Sequence, residues 1–557
     1  MAKKIVECVP NFSEGQDQAV IDQIVAAMDA VDGAAVLDVD PGAATNRTVV
    51  TVVGDPDAVC SAAFEGIRVA SELIDMSRHS GEHARQGATD VCPFVPVSGV
   101  TMDECVTLAQ RLGGRVGDEL GIPVYLYEEA ASKPERRNLA KVRAGEYEGL
   151  EAKLASPEGA PDFGPTSFNA RSGATAVGAR KFLIAYNVNL NTRDKRVATE
   201  VALEVREQGR NMRGPDGKFV RDESGEPIKR PGRLQTVKAV GWVIEEYNRA
   251  QISCNLTDCE VASLHDVFDA CEEEARKIGA RVTGSELVGL VPLDAMLAAG
   301  RHYLERMGRS TGLPEARVIE AAVQSLGLSE ISPFDAADRI IEYRLRGGGD
   351  LVTRTVKDFI DETSSESPAP GGGSVAAVCG SLGAALVAMV GNLTVGKRKM
   401  EGAWAACERI SVRAQELKDA FLDDIDRDTD AFNAFMAAMR LKASTPEEEA
   451  GKKQAMIDAT KGAIMVPFGV LERTPAVVEI ASEVLDIGNP NAASDAATAA
   501  ACAVACAEGA LYNVLTNMKD FEGDAEWAAD FRARALKLVD DVRSSARQVS
   551  ESFVDRM

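Results

Sequence analysis

Apolar positions along this chain recur with two different periods, and the change from one to the other divides it. In the first third, "KKIVECV", "AAVLDVD" and "RTVVTVVG" are rich in β-branched residues and are predicted to form strands. Between them, "AVIDQIVAAMDAV" and "AVCSAAFEGIRVASELIDM" place apolar residues at helical spacing. A second alternation begins at "KFLIAYNVNL" (181–190) and continues through "VKAVGWVIEEYN" and "AQISCNLTDCEV" to helices around 264–278 and 313–326. Strands alternating with helices predict an α/β architecture built in two segments. "IEYRLRGGGDLVTRTVK" (341–357) interrupts the pattern with three consecutive glycines, the composition of a flexible linker. From about residue 352 onward, long Ala-rich helical patterns predict an all-α helical bundle.

The chain's 557 residues suffice for two to four domains, so modular organisation is expected. A net charge of -24 argues against nonspecific binding to nucleic acid or anionic lipid and favours small-molecule partners. The start, "MAKKIVECVPNFSEG", has no apolar core of the kind a secretory signal needs, so a cytoplasmic location is expected. Eleven scattered cysteines without a C-x-x-C pair are expected to be reduced, buried thiols. Residues 375–395 are uncharged and long enough to span a bilayer. Their Gly, Ala and Ser content fits a closely packed bundle helix better, with the Ala-rich run at 492–511 as its partner and no membrane span. One stretch, 206–235, is polar and rich in Gly and Pro, and it is predicted to be a mobile loop without regular structure. It carries eight Lys or Arg against five acidic residues, either to engage an anion or simply to stay solvated.

Candidate chemistry concentrates in three places. "RHSGEHARQGATDVCPF" (78–94) holds His79 and His83, two of only four histidines. H-x-x-x-H is a metal-binding spacing on a helix, but Ser80, Gly81 and Gly87 interrupt any helix here, and no metal is expected. A loop imidazole beside Glu82, Arg85 and Asp90 is better suited to proton transfer. "APGGGSVAA" opens a helix with Gly371, Gly372, Gly373 and Ser374. A phosphate loop would need a lysine that is absent, and no G-x-G-x-x-G follows a strand, so these glycines are expected to start a helix and admit a ligand edge. In "FLDDIDRDTDAFNAFMAAMR", Phe421, Ile425, Phe432, Phe435, Met436 and Met439 form one helical stripe, and its spacing lands on Asp428. Asp424, Asp426 and Asp430 are expected on a solvated face. Asp428 faces the bundle, either as an acid whose pKa burial raises or as a capping or ion-paired carboxylate.

The sequence resembles the bifunctional formiminotransferase-cyclodeaminase family along essentially its whole length. The amino-terminal half carries the resemblance in "VECVPNFSEG", "LDVDPGAATNRTVVTVVG", "LIDMSRHSGEHARQGATDVCPFVPV", "VYLYEEAA" and "PDFGPTSFNARSGATAVGARKFLIAYNVNL". The rest carries it in "SPAPGGGSVAA", "DIDRDTDAFNAFMAAMRL" and "GNPNAASDAATAA", which also resemble stand-alone methenyltetrahydrofolate cyclohydrolases. The resemblance implies two transferase subdomains at 1–181 and 182–335, a linker at 336–352 and a cyclodeaminase helical domain at 353–557. It also implies formimino transfer from N-formimino-L-glutamate to tetrahydrofolate as co-substrate, with or without a polyglutamate tail, then cyclisation with loss of ammonia. A glutamate formyltransferase fused to a cyclohydrolase-like module, or a non-catalytic scaffold, remain the alternatives.

By the same resemblance His83 is the catalytic histidine, Asp40 the carboxylate that supports it and Asp428 the catalytic acid. Folate is expected against Gly164, Pro165, Thr166, Ser167, Phe168, Asn169, Ala170, Arg171, Ser172 and Gly173. In the helical module it is expected against Gly371 to Ser374 with Asn489, Ser494 and Asp495. Ala84 stands where the family commonly has proline, and Gln86 where it often has methionine. A homo-oligomeric assembly is implied, and a fragment starting near residue 350 is expected to fold alone as a helical dimer. A monomer in sedimentation at micromolar concentration would contradict the homo-oligomeric assembly.

Overall fold

The computed structural model describes residues 4–43, 45–81, 84–245, 247–345, 351–519 and 521–557. They form two compact units, residues 1–296 with 326–345 and residues 297–325 with 346–557.

The first unit begins with β1 (Ile5–Cys8), β2 (Asn11–Phe12), α1 (Gln18–Asp29), β3 (Ala34–Gly42), β4 (Arg47–Gly54) and α2 (Pro56–Leu73). It continues through β5 (Thr89–Ser98), α3 (Met102–Leu120), β6 (Val124–Glu128), the short helices α4 (Leu139–Val142) and α5 (Leu150–Leu154), and β7 (Thr175–Ala179). Their strands make one mixed sheet in the order β1-β4-β2-β5-β7-β6, with β3 paired to β4. Alternation sets its faces: Val6, Cys8, Val50 and Val52 join the core that includes residues of α1, α2 and α3, whereas Ile5, Leu37 and Val53 belong to a second cluster with Ile341. Helix α3 has clear start and stop signals, a Thr101/Glu104 capping box and Gly121 in the left-handed region at φ 63°.

A second sheet follows, formed by β8 (Ile184–Leu190), α6 (Lys195–Val205), β9 (Arg210–Asn211), β10 (Lys229–Arg230), β11 (Val237–Ile244), β12 (Arg249–Leu256), α7 (Leu264–Lys277) and β13 (Val282–Val288). Its antiparallel order is β11-β12-β8-β13, while β9 and β10 pair separately. The two expected α/β segments are therefore present. The loop at 206–235 is not irregular. Arg210 and Asn211 pair with Arg230 and Lys229, Met212 N donates to Ile228 O, and Val220 N donates to Met212 O. Turns at Gly214–Lys218 and Asp222–Glu226 close a small meander. Its Gly and Pro residues mark tight turns between very short strands, which the composition alone reads as disorder.

Helices α8 (Leu293–Arg306), α9 (Glu315–Leu326), α10 (Ala336–Arg339) and α11 (Ile341–Leu345) lead to α12 (Val356–Thr363), α13 (Gly372–Asn392), α14 (Trp404–Arg440), α15 (Pro446–Ile487), α16 (Ala493–Met518) and α17 (Ala525–Val554). Part of the expected linker is thus helical, with Ile341 buried. Its three glycines, Gly347 to Gly349, lie outside the described residues. The segment 297–325 belongs to the helical unit: Thr311 N donates to Glu408 at 2.7 Å, and Gly312 O accepts from Asn392 at 2.7 Å and Gln415 at 3.1 Å.

Small residues bring α13 and α16 together as the sequence predicts. A Cβ on Gly380 would meet Phe421 and Cys506, one on Gly383 would meet the Ala499 carbonyl, and Gly509 lies against Ala376. Both helices are long and apolar enough to cross a bilayer, and their small-residue faces are buried in this bundle. All eleven cysteines are free thiols, eight of them buried.

Glu7 is a charge-bearing group inside the first sheet. It is 4% exposed, and burial pushes its carboxyl up to about 7, with Arg180 opposing the shift and Glu342 adding to it. Between the unfolded value near 4.5 and about 7, the folded state binds more protons than the unfolded one. Its contribution to stability is therefore fully present below about 4.5 and is lost as pH rises through about 7. Glu7→Gln is expected to flatten that decline and to stabilise the first unit at pH 8 by roughly 1–3 kcal/mol. Denaturant unfolding of both forms at pH 5 and 8 measures it, and an unchanged pH profile would contradict it.

Candidate active sites

The histidine-rich loop is fastened to the β3–β4 hairpin. His79 follows a single 3-10 turn at Met76–Arg78, and its Nε2 lies 2.9 Å from the Asn46 carbonyl. Arg85 Nε donates to His79 Nδ1 at 3.3 Å, so Nε2 carries the imidazole proton and donates to that carbonyl. Asn46, at φ 48°, holds both sides of the junction: its Nδ2 donates to Ser80 O at 2.9 Å and its Oδ1 accepts from Gly15 N at 3.0 Å. A Cβ on Gly81 would collide with the Thr45 carbonyl, so only glycine lets the loop lie this close. Glu82 and His83 lie outside the described residues, directly after this fastened segment. Asp40 is on β3 of the same hairpin, exposed and paired in register with Val49.

Arg85 also ion-pairs with Glu146 at 3.2 Å and Glu148 at 2.6 Å, and these residues with Ser80 and Gly81 line an open cleft of about 490 Å³. Among the described residues, the partners of Asp90 are arginines and a backbone amide and not the His79 imidazole. Asp90 is 1% exposed and is occupied by Arg47 at 2.9 Å, Arg143 at 2.6 Å and the Gln86 amide at 3.1 Å. Gln86 is itself buried, and among the described residues its side-chain nitrogen has no hydrogen-bond partner.

The run Gly164–Gly173 divides. Gly164, at φ 79°, packs against Gly117 and the Ile122 carbonyl. Thr166 and Ser167 are exposed, with Pro165 half-buried between Gly164 and Thr166. The second half joins the histidine loop: Ala88 N donates to Ser172 O, Ala174 N to Gln86 O, and Gly87 bridges Gly173. Phe168 lies 5.5 Å from the Tyr147 ring, Tyr147 N donates to Arg85 O, and the Tyr147 hydroxyl donates to Ala170 O at 2.6 Å. The Ser172 and Gly173 amides are not open to a ligand, because Asn169 accepts from both. Arg171 donates to the Ser71 and Glu72 carbonyls.

The second site is a cavity of about 690 Å³ in the helical unit. Helix α13 starts at Gly371, which has no side chain to cap it, and Asp428 of α14 takes that role. Its Oδ2 accepts from Ser374 N at 2.9 Å and Ser374 Oγ at 3.2 Å, and a Cβ on Gly373 would collide with the carboxylate. Burial pushes the Asp428 carboxyl above the ordinary aspartate range, against the opposing bonds from Ser374. The same residue is thus a cap for a neighbouring helix and a wall of the cavity, beside Gly371, Gly372, Phe432 and Phe435.

Asp424 is not on a solvated face. It is 1% exposed and paired with Arg427 at 2.7 Å and with Arg473. Asp426 accepts from the Leu351 amide at 3.0 Å, while Asp430 is exposed. Sequence periodicity missed the cross-helix arginine because Arg473 lies 49 residues away on α15.

Asn489, Ser494 and Asp495 are not brought to this cavity. Asn489 N donates to Thr394 Oγ1, just beyond the carboxy end of α13, whereas the cavity lies at that helix's amino end. With 21 residues in α13, the two ends are about 30 Å apart. In their place the structure supplies Asn513 and Asn517 from the far end of α16. Pro467 has no N–H, so the Ala463 carbonyl loses its helical partner, and Asn517 donates to it at 2.8 Å. A proline inside a long helical pattern was the available signal for this feature.

Asn in place of Asp428 keeps an oxygen acceptor for the α13 amides but no acid. Asp428→Asn is therefore expected to keep the fold and lose only the chemistry of the carboxyl group. Asp428→Ala should additionally cost about 1 kcal/mol through the lost cap. Thermal unfolding of the two variants checks this, and equal stabilities would contradict the capping role.

Residues 5–180 match the formiminotransferase domain, N-terminal subdomain, residues 185–346 the formiminotransferase domain, and residues 355–537 the formiminotransferase-cyclodeaminase family. The chain is 44% identical to the formimidoyltransferase-cyclodeaminase of Sus scrofa over 99% of both chains. It is 43% identical to the glutamate formimidoyltransferase of Streptococcus pyogenes, over 54% of this chain and 94% of that one. It is 34% identical to the methenyltetrahydrofolate cyclohydrolase of Methylorubrum extorquens, over 36% of this chain and 94% of that one.

Proposed function

This chain belongs to the formimidoyltransferase-cyclodeaminase family, and from that premise we propose a two-step path for one-carbon transfer in histidine degradation. The formimino group of N-formimino-L-glutamate passes to N5 of tetrahydrofolate, releasing glutamate, and the product closes to 5,10-methenyltetrahydrofolate with loss of ammonia. The transferase takes 1–181 and 182–335 and the cyclodeaminase 353–557, with the transferase segment 297–325 packed within the helical unit. The observation that carries the reading is 44% identity over 99% of both chains to a relative named formimidoyltransferase-cyclodeaminase, with the first part of the chain also matching a relative named glutamate formimidoyltransferase.

In the first step His83 takes the N5 proton as N5 attacks the formimino carbon and returns it to the departing glutamate nitrogen, with Asp40 supporting the imidazole. Support comes from the loop's position: residues 79–81 are fastened to the hairpin that carries Asp40, and the half-buried Phe168 beside Tyr147 offers a flat apolar surface next to Arg85. In the second step N10 adds to the formimino carbon. With the formimino group entering as its amidinium (–CH=NH2+), Asp428 donates its proton to the resulting amine, ammonia departs to leave the methenyl cation, and the carboxylate takes the proton lost by N10. A carboxyl whose pKa burial raises, at the wall of a cavity large enough for a folate ring system, supports that role. Neither step calls for a metal.

The protein acts as a homo-oligomer on small-molecule substrates, with no membrane span. Val375, Leu382 and Met389 recur at seven-residue spacing on α13 and remain exposed in a single chain, as does Tyr512 on α16. A second copy covering these helices would account for both their apolar content and their half-buried state.

His83→Ala is expected to lower formimino transfer by roughly two to four orders of magnitude while leaving cyclisation of supplied 5-formiminotetrahydrofolate unchanged. Asp428→Asn is expected to do the reverse and accumulate the 5-formimino compound. Ultraviolet absorbance of methenyltetrahydrofolate, followed with formiminoglutamate and separately with formylglutamate, measures both. Near-normal transfer by His83→Ala would remove the histidine from its role, and turnover of formylglutamate alone would favour a formyltransferase.

A further inference from the structure

The basic meander at 206–235 forms a cleft that neither step of the folate chemistry uses. Its volume is about 500 Å³, within the range of small-molecule sites. Arg206, Arg210, Arg213 and Arg230 converge on it, together with Met212 and Phe219. Two carboxylates answer these four guanidiniums. Glu200 accepts from Arg210 at 2.8 Å, and Glu204 pairs with Arg210 at 2.7 Å and Arg230 at 2.6 Å. Among the described residues, Arg206 and Arg213 have no ion pair. They are held instead by backbone carbonyls, Arg206 Nε by Gly209 O at 3.0 Å and Arg213 by Gly217 O at 2.7 Å.

Fixed guanidiniums with unused donors differ from an ordinary solvated charge run. Each has five N–H groups in a planar fork, and one or two backbone bonds orient it without satisfying it. The aromatic wall adds a second requirement on the ligand. Arg213 stacks over the Phe219 ring at 4.4 Å, and Phe219 is 39% exposed, so a planar platform faces solvent beside the surplus positive charge. A surplus of cation here also runs against a chain of net charge -24, which would repel an anion elsewhere.

We propose that this cleft binds a flat aromatic ring carrying two or more negative charges, the chemistry of a nucleoside diphosphate. The ring stacks on the Phe219–Arg213 platform, and the anionic groups take the free donors of Arg206 and Arg213. The meander is short-stranded and stands apart from both sheets in its pairing, so the ligand engages a separate surface element.

Isothermal titration of the full-length protein with ADP, adenosine and inorganic pyrophosphate tests the proposal. ADP is expected to bind saturably, at least about tenfold more tightly than either adenosine or pyrophosphate. Phe219→Ala is expected to bring ADP down to the affinity of pyrophosphate. Arg206→Ala and Arg213→Ala are each expected to weaken ADP at least about tenfold. The absence of saturable ADP binding at millimolar concentration would overturn the proposal. So would adenosine binding as tightly as ADP, or ADP binding unchanged in all three variants, which would place it elsewhere on the protein.

Discussion

The helical unit depends on a carboxylate that caps a helix other than its own. Helix α13 begins on glycines, so its first amides have no local acceptor, and Asp428 arrives from α14 to supply one. The arrangement works only because Gly373 lacks a Cβ. Two opposing effects then meet on one side chain. Donation from Ser374 favours the charged carboxylate, and burial favours the neutral acid, with burial the larger. Helix seating and cavity wall therefore share a residue: the bonds that seat the helix also fix the position of the carboxyl group.

The transferase end uses a different device for the same purpose. No single helix presents its histidine loop. Asn46 joins Gly15, Ser80 and the hairpin tip through its side chain, while His79 and Arg85 lock one another from the other side. Arg47, Arg143 and Asp90 form a buried ionic layer beneath, tied to the loop through the Gln86 amide. Breaking such a layer from one side would leave a buried charge unpaired, so these residues position the loop without needing to touch a substrate.

Much of the fold was legible because period and composition agree with the final structure. The β-branched runs became β1, β3, β4, β8, β11 and β12, and the Ala-rich runs became a close-packed α13–α16 pair. Asp428 was legible from one helix because its stripe faces inward. Asp424 was not, since its burial depends on Arg473 from another helix and no local spacing encodes that. The meander at 206–235 misled for a related reason: its strands are two residues long, too short for an alternating pattern to register. Asn489, Ser494 and Asp495 carry a family signature, yet they sit at the far end of α13, because a motif in sequence specifies neighbours along the chain and not across a helix of 21 residues.

The central claim is that Asp428 holds a proton inside the cavity until the leaving nitrogen takes it. Infrared difference spectroscopy of the carboxyl carbonyl band, wild type minus Asp428→Asn, follows that proton directly as pH is changed. A protonated-carboxyl band that titrates above the ordinary aspartate value of about 3.9 is the predicted result. A band that titrates at or below that value would mean the Ser374 bonds outweigh burial, leaving Asp428 as a cap and not an acid.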